Sequence, residues 1–248
     1  TPCTLRYALL YCFDVTSPPR KSLLRLLAEY CELEGEKKDL MELCSIQGKT
    51  RFEKEIRKGE PGLIHLLERY KSCKPSIDHL LDVLPTLAPR YYSICSSPLA
   101  YKDQLQVAYS VVRYSTEMKY EKLGVATNWL QGLCSKENKA KDSSVYRIPI
   151  FLKRGGSFAL PVDRSKPIIM VGPGTGVAPF RGFIQQRIEE SKASSGGSKM
   201  GEAWLFFGCR REEEDYLYKE DLESYVGQAG GLTKLHVAFS RAGRLLKK

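Results

Sequence analysis

The sequence predicts a protein of mixed α+β and α/β class in three parts. A helical domain occupies residues 1–88, an incomplete antiparallel β-barrel residues 89–160, and a truncated parallel α/β domain residues 161–248. Three observations lead there. Apolar residues behind Pro18-Pro19, Pro61 and Pro75 recur at helical spacing. From Arg90 to Leu160 the pattern changes to short, alternating, β-rich runs. After Pro167 an apolar strand, a glycine cluster, a helical pattern and a second apolar strand follow in succession, the order of a parallel α/β sheet.

The chain opens with "LRYALLYCFDV", Leu5 to Val15, which reads as a short strand. Pro18-Pro19 then introduce Leu23, Leu24, Leu27, Ala28 and Cys31 on one helical face, since proline suits a helix start. A second apolar set, Leu40, Met41, Leu43 and Cys44, ends near Gly48. Pro61 opens a third with Leu63, Ile64, Leu66 and Leu67, and Pro75 a fourth, Ile77 to Leu84. These stripes are core-packing faces. Next come "RYYSICSS", "LQVAYSVVRY" and "YRIPIFL", punctuated by Gly, Pro and Ser as in a small antiparallel barrel. The strands of the last part are "IIMVG", "AWLFFG" and "GLTKLHVAFS". "SKASSGGSKM", Ser191 to Met200, is a flexible loop between its helix and the second strand.

With 248 residues, 42% hydrophobic and 27% charged, the chain can bury two ordinary cores. No apolar run approaches the roughly 18 residues of a membrane span, and the start lacks the shape of a signal peptide. Eight cysteines stand singly and three histidines are scattered, so neither a metal site nor a disulfide framework is expected. Reduced thiols and a cytoplasmic location are the expectation. The formal charge is +10, with the basic residues dispersed and no nucleic-acid motif beside them. Anionic cofactors or an acidic protein partner therefore fit better than nucleic acid.

The chemistry concentrates in three motifs. "IIMVGPGTGVAPFRGF", Ile168 to Phe183, runs a buried strand into a glycine turn and a helix start, where amides and the helix dipole favour an anion. It is not a P-loop, because Val177 and Ala178 follow the last glycine. It also misses the third glycine of the common dinucleotide fingerprint. "RYYS", Arg90 to Ser93, joins a cation, two aromatics and a hydroxyl: Arg can pair with phosphate, while Tyr can cover a planar ring and Ser hydrogen-bond it. "GVATNWL", Gly124 to Leu130, suggests a second loop-to-helix anion cradle. Each of the last two, alone, also suits an ordinary barrel.

In order, RYYS, GVATNWL, GPGTGVAPFRGF, FFGCR and FSR resemble the ferredoxin–NADP reductase module of the diflavin NADPH reductases. The resemblance covers nearly the whole chain, and the helical part before RYYS is similar to that family's connecting domain. It implies an FAD site at Arg90, Tyr91, Tyr92 and Ser93, with Ser93 the catalytic residue near the flavin nitrogen that accepts hydride. Ala108, Tyr109, Ser110 and Tyr114 border the flavin and adenine parts on this reading. Gly124, Val125, Ala126 and Thr127 hold the FAD pyrophosphate. Gly174, Thr175 and Gly176 cradle the NADPH pyrophosphate, Cys209 and Arg210 lie along the nicotinamide nucleotide, and Ser240 and Arg241 bind the 2′-phosphate.

The implied function is electron transfer from NADPH through FAD to a flavodoxin-like FMN-binding domain. The nearest branch is the one whose acceptor is methionine synthase, with its cobalamin, which "LRYALLYCFDV", "LCSIQG" and "LFFGCR" resemble. "RYYSICSS" and "GVATNWL" resemble the branch serving haem monooxygenases. The other alternative is a non-catalytic nucleotide- or partner-binding fragment. Two departures from the family pattern stand out. Where the haem branch carries an arginine that reaches FAD, this chain has "RKGEPGLIHLL", with Arg57 or Lys58 as the available substitute. The chain also looks truncated at both ends, lacking the family's later Tyr-Val-Gln and Cys-Gly-Asp segments. By itself it is expected to bind nucleotide better than it oxidises NADPH.

Overall fold

Pro18-Pro19, Pro61 and Pro75 each stand just ahead of a helix, as their fixed φ favours. The computed structural model describes residues 3–134, 147–153, 156–194 and 200–241. It divides the chain into two units, residues 1–90 with 111–132 and residues 91–110 with 133–248.

The first unit is mainly helical. It contains α1 (Leu5–Tyr11), α2 (Lys21–Glu29), α3 (Glu34–Cys44), α4 (Lys49–Phe52), α5 (Leu63–Arg69) and α6 (Ile77–Val83). A π-helical turn, Glu53–Lys58, continues α4. Helix α2 buries Leu23, Leu24, Leu27 and Ala28, the face read from the sequence. These residues pack with Leu40, Leu43, Ile56, Leu63 and Leu66 in one core. Burying each large side chain contributes roughly 1.5–3 kcal/mol.

The opening segment is not a strand but helix α1. Thr4 caps it, its hydroxyl accepting from the Tyr7 N–H at 3.2 Å, and Ala8 is buried. A short Leu/Ala/Tyr run has no strict alternation, so a capping hydroxyl and good helix formers decide it.

Polar side chains bind these helices together. Arg51 reaches Asp39 at 2.9 Å, Glu42 at 3.0 Å and Glu55 at 2.9 Å, while Arg69 meets Glu55 at 2.8 Å. The buried Tyr70 hydroxyl donates to Asp39 at 2.6 Å. Burial by itself would raise the Asp39 and Glu55 carboxyls. The hydrogen bonds from Tyr70 and Arg51, and from Arg51 and Arg69, outweigh it and hold both below the usual range.

In this unit β1 (Arg113–Ser115) and β2 (Glu121–Leu123) pair antiparallel, and α7 (Val125–Cys134) follows. The strand-rich pattern read over residues 90–160 is only partly realised among the described residues. RYYS and residues 147–152 belong to no ladder, and "LQVAYSVVRY" yields only a bridge at Val107 and strand β1. Alternation records which side chains face inward; a strand also needs a neighbour's backbone groups. Residues 195–199 of the expected loop, and everything after Arg241, lie outside the described residues.

The second unit carries the parallel sheet. Its elements are β3 (Ile168–Pro173), α8 (Ala178–Ala193), β4 (Ala203–Cys209), α9 (Glu212–Asp215), α10 (Lys219–Ser224) and β5 (Lys234–Phe239). The strand order is β3-β4-β5, with Ile168 opposite Ala203 and Leu205 opposite Leu235. Alternate residues Ala203, Leu205, Phe207 and Cys209 point into a core shared with Val177, Ile184 and Ile188.

Stability of the helical unit is expected to depend on acid pH. A carboxyl with a depressed folded pKa stabilises above its unfolded value and loses that contribution as pH falls through the folded one. Urea unfolding should therefore be flat above about pH 5 and weaken progressively below about pH 4.5. Asp39→Asn should flatten that slope and cost about 1 kcal/mol at neutral pH, because the network is partly solvated. An unchanged acid slope in Asp39→Asn would remove the network from the explanation.

Candidate functional site

The C-terminal edge of the parallel sheet gathers three predicted groups. At Gly172, strand β3 passes so close to the following turn that a Cβ would lie 2.7 Å from Gly176 O and 2.9 Å from Val177 Cα. Only glycine permits that approach. Gly174 then takes a left-handed φ of +54°, and a single 3-10 turn, Gly174–Val177, delivers the chain into α8. Thr175 and Gly176 are exposed on this turn.

The ends of β4 and β5 are fastened to each other beside it. Ser240 N–H donates to Cys209 O at 2.9 Å, and Arg241 N–H donates to Arg210 O at 3.0 Å. Pro173 is opposite Gly208, so the glycine turn and both pairs share one edge. Cys209 is buried, which pushes its thiol pKa up, while Arg210 is exposed and pairs with Asp215 at 3.2 Å. Ser240 and Arg241 face solvent. Ligands of open parallel sheets bind at this edge, where backbone amides and, here, two guanidiniums suit phosphate.

In the same unit, residues 91–97 run antiparallel to residues 105–110. Ile94 bridges Val107, and Cys95 N–H donates to Gln106 O at 2.9 Å. Continued by two residues, that register sets Tyr92 beside Tyr109, whose rings are 5.9 Å apart. Burial, followed by Cys134 and Tyr92 as neighbours, raises the Tyr109 hydroxyl. Tyr91 and Ser93 are exposed, as is Ser110. Phe151 meets the Tyr91 ring edge-on at 5.8 Å, and the Lys153 ammonium lies 4.8 Å from the ring centroid.

The first unit holds the other predicted group. Gly124 follows β2 and donates to Val112 O at 2.9 Å, and α7 begins at the next residue. Thr127 is buried; its hydroxyl accepts from Val112 N–H at 3.1 Å and faces Gly124 O at 3.3 Å. A Cβ at Gly124 would fall 2.8 Å from that hydroxyl. The first amides of a helix have no intrahelical acceptor, so Val125 and Ala126 stand where an anion finds donors. Arg90 is exposed and its guanidinium turns back to the carbonyl of Ala88. Tyr114 donates to Glu60 at 2.5 Å, which raises its own pKa.

Sequence reasoning passed over three participants. Glu60 holds Tyr114 from 54 residues away. Arg113 donates to Asn128 at 2.8 Å and Gln131 at 2.7 Å along α7. Arg181 is buried among Asp221, Cys95 O and Gln106. Arg57, the possible substitute cation, is exposed and pairs with Glu53 at 3.5 Å.

Residues 1–129 match the family described as FAD binding domain, and residues 170–244 the family described as oxidoreductase NAD-binding domain. Among curated proteins, the chain is 43% identical over 244 residues to the NADPH–cytochrome P450 reductase of Musca domestica, covering 97% of this chain and 34% of that protein. It is 41% identical over 242 residues to the Drosophila melanogaster counterpart, with the same coverage. The methionine synthase reductase of Mus musculus is 40% identical over 249 residues, covering 96% of this chain and 36% of that protein. The chain thus spans about a third of the length of these relatives. The glycine turn, the α7 start and the paired cations fit FAD and a nicotinamide dinucleotide, the cofactors of those two families.

Gly172→Ala should lower stability by roughly 1–3 kcal/mol, because backbone must move to admit the methyl. Gly176→Ala meets its nearest neighbour at 3.7 Å and should be near neutral. Thermal melts showing equal losses would contradict the close approach.

Proposed function

The chain belongs to the diflavin NADPH reductase family, and from that premise we propose that it passes electrons from NADPH through FAD to an FMN-carrying domain. In this reading it is an oxidoreductase module divided, as the sequence suggests, into a connecting domain (1–88), part of an FAD-binding barrel (89–160) and an NADP-binding domain (161–248). FAD when bound accepts hydride from NADPH and releases electrons singly. Everything else falls to the chain's own backbone and side chains.

Gly174, Thr175 and Gly176 take the dinucleotide pyrophosphate on backbone amides. Arg241, with Ser240 and with Arg210 beside it, takes the 2′-phosphate through charge-assisted hydrogen bonds. The observation that carries this reading is the backbone fastening of Ser240-Arg241 to Cys209-Arg210 at the sheet edge of the glycine turn. Cys209 and Arg210 border the nicotinamide nucleotide. Gly124 to Thr127 and Arg90 hold the FAD phosphates. Tyr91 and Tyr92 would cover the ring system, Ala108 to Ser110 would border it, and Ser93 would offer a hydroxyl at the reacting nitrogen. The free cysteines support a reducing, cytoplasmic setting.

Two acceptors stand on different observations. "LCSIQG" and "LFFGCR" favour methionine synthase and its cobalamin. The higher identity to NADPH–cytochrome P450 reductases favours a haem protein. Joined to its FMN domain, the chain can be offered each acceptor in turn and the reduced product followed spectroscopically.

Binding is the first test. Calorimetry should find FAD bound, and NADPH bound more tightly than NADH. Arg241→Ala should remove most of that preference, about 1.5–3 kcal/mol, without moving FAD affinity. Equal affinity for the two dinucleotides in the wild type would overturn the 2′-phosphate role.

Association with an isolated FMN domain should weaken as salt rises, since the +10 charge suits an acidic partner. Salt-independent association would count against electrostatic docking.

A further inference from the structure

The helical unit brings together two cysteines far apart in sequence, Cys31 just after α2 and Cys73 between α5 and α6. They form an isolated antiparallel bridge. Its hydrogen bonds run from Glu32 N–H to Ser72 O at 3.3 Å and from Lys74 N–H to Tyr30 O at 3.0 Å. Those bonds flank the two cysteines rather than join them, so the pair occupies a non-hydrogen-bonded position. In such positions Cα atoms stand ~4.5 Å apart and side chains approach most closely. A disulfide spans Cα separations of about 4.4–6.8 Å.

The side chains agree with the backbone. Both thiols donate to the same carbonyl, Leu27 O, at 3.3 Å from Cys31 and 3.2 Å from Cys73. Each thiol is near enough to the other to perturb its titration. Cys73 is buried, and Cys31 is partly open to solvent.

We propose that Cys31 and Cys73 form a reversible redox site that closes to a disulfide on reaction with a low-molecular-weight disulfide such as oxidised glutathione. Cys31 loses its proton and attacks one glutathione sulfur. The glutathione S–S bond breaks and one glutathione thiolate leaves. Cys73 then loses its proton and attacks Cys31 Sγ, expelling the second glutathione thiolate. Two protein thiols are oxidised, one glutathione disulfide is reduced, and the two protons end on the two glutathione thiols.

Burial pushes both thiols up, Cys73 to about 12, with Cys31 and Glu36 adding to the rise there. At Cys31 burial and Glu36 raise the thiol, and the neighbouring Cys73, Ser72 and Lys37 partly oppose them. The thiolate fraction is small at neutral pH, so closure is slow and needs sustained oxidation. Once formed, the bond encloses α3, α4, the π-helical turn and α5 in a loop of about forty residues, which restricts the unfolded chain.

The test uses the full chain, first reduced and then equilibrated with oxidised and reduced glutathione at several ratios. N-ethylmaleimide is added before unfolding, and peptides are mapped by mass spectrometry. The expected result is a Cys31–Cys73 linked peptide pair as the main oxidised species, lost on adding dithiothreitol. The oxidised chain should also melt at a higher temperature than the reduced chain. Cys73→Ser should leave Cys31 as a mixed disulfide with glutathione. The wild-type map needs no variant, so it decides even if that substitution misfolds. Recovery of both cysteines as maleimide adducts at every ratio, or predominant linkage of either to another cysteine, would overturn the proposal.

Discussion

The close approach of backbone at Gly172 is the constraint on which the candidate nucleotide edge depends. Without a side chain there, β3 can turn within a few residues and hand the chain to α8. That helix then lies against the inner face of the sheet, where Ile184 and Ile188 join Leu205 and Phe207. The same short turn keeps the glycine amides level with the ends of β4 and β5. A longer connection would move them off that edge. Phosphate-binding geometry and core packing are therefore two results of one steric allowance.

Buried guanidiniums on α8 do the corresponding work. Arg181 donates to Asp221 at 2.7 Å, to Cys95 O at 3.1 Å and to Gln106 at 2.9 Å, and lies over the Tyr218 ring at 4.7 Å. It ties residues 95–106 to the helix that begins at the glycine turn. Arg187 is almost wholly enclosed and donates to the carbonyls of Gly230 and Gly201. Burial and the neighbouring Arg164 lower its pKa. A desolvated cation needs every donor occupied, so each arginine specifies the loops that supply its acceptors.

The legible parts of the sequence were those with a strong period or an obligatory residue. The α2 stripe, the prolines before α2, α5 and α6, and the strand–glycine–helix run at Ile168 all announce themselves locally. The opening segment did not, because Leu, Ala and Tyr suit either conformation until Thr4 caps a helix. RYYS alternates like a strand but finds no ladder, since pairing belongs to the neighbour as much as to the segment. Glu60, Arg113 and Arg181 were invisible as site participants for a related reason. Their partners lie 15 to 86 residues away.

By itself the sequence determined helix faces, the glycine turn, the order of the motifs and, through that order, the family. These follow from short-range sterics and periodicity, which the chain carries at every position. Only the tertiary structure decided that Ser240-Arg241 lies against Cys209-Arg210, that Tyr92 faces Tyr109, and that Cys31 touches Cys73. Each pairing depends on long loops closing to one register among many. The free energy that selects it comes from apolar burial and satisfied backbone groups spread over the whole unit, not from the residues that meet.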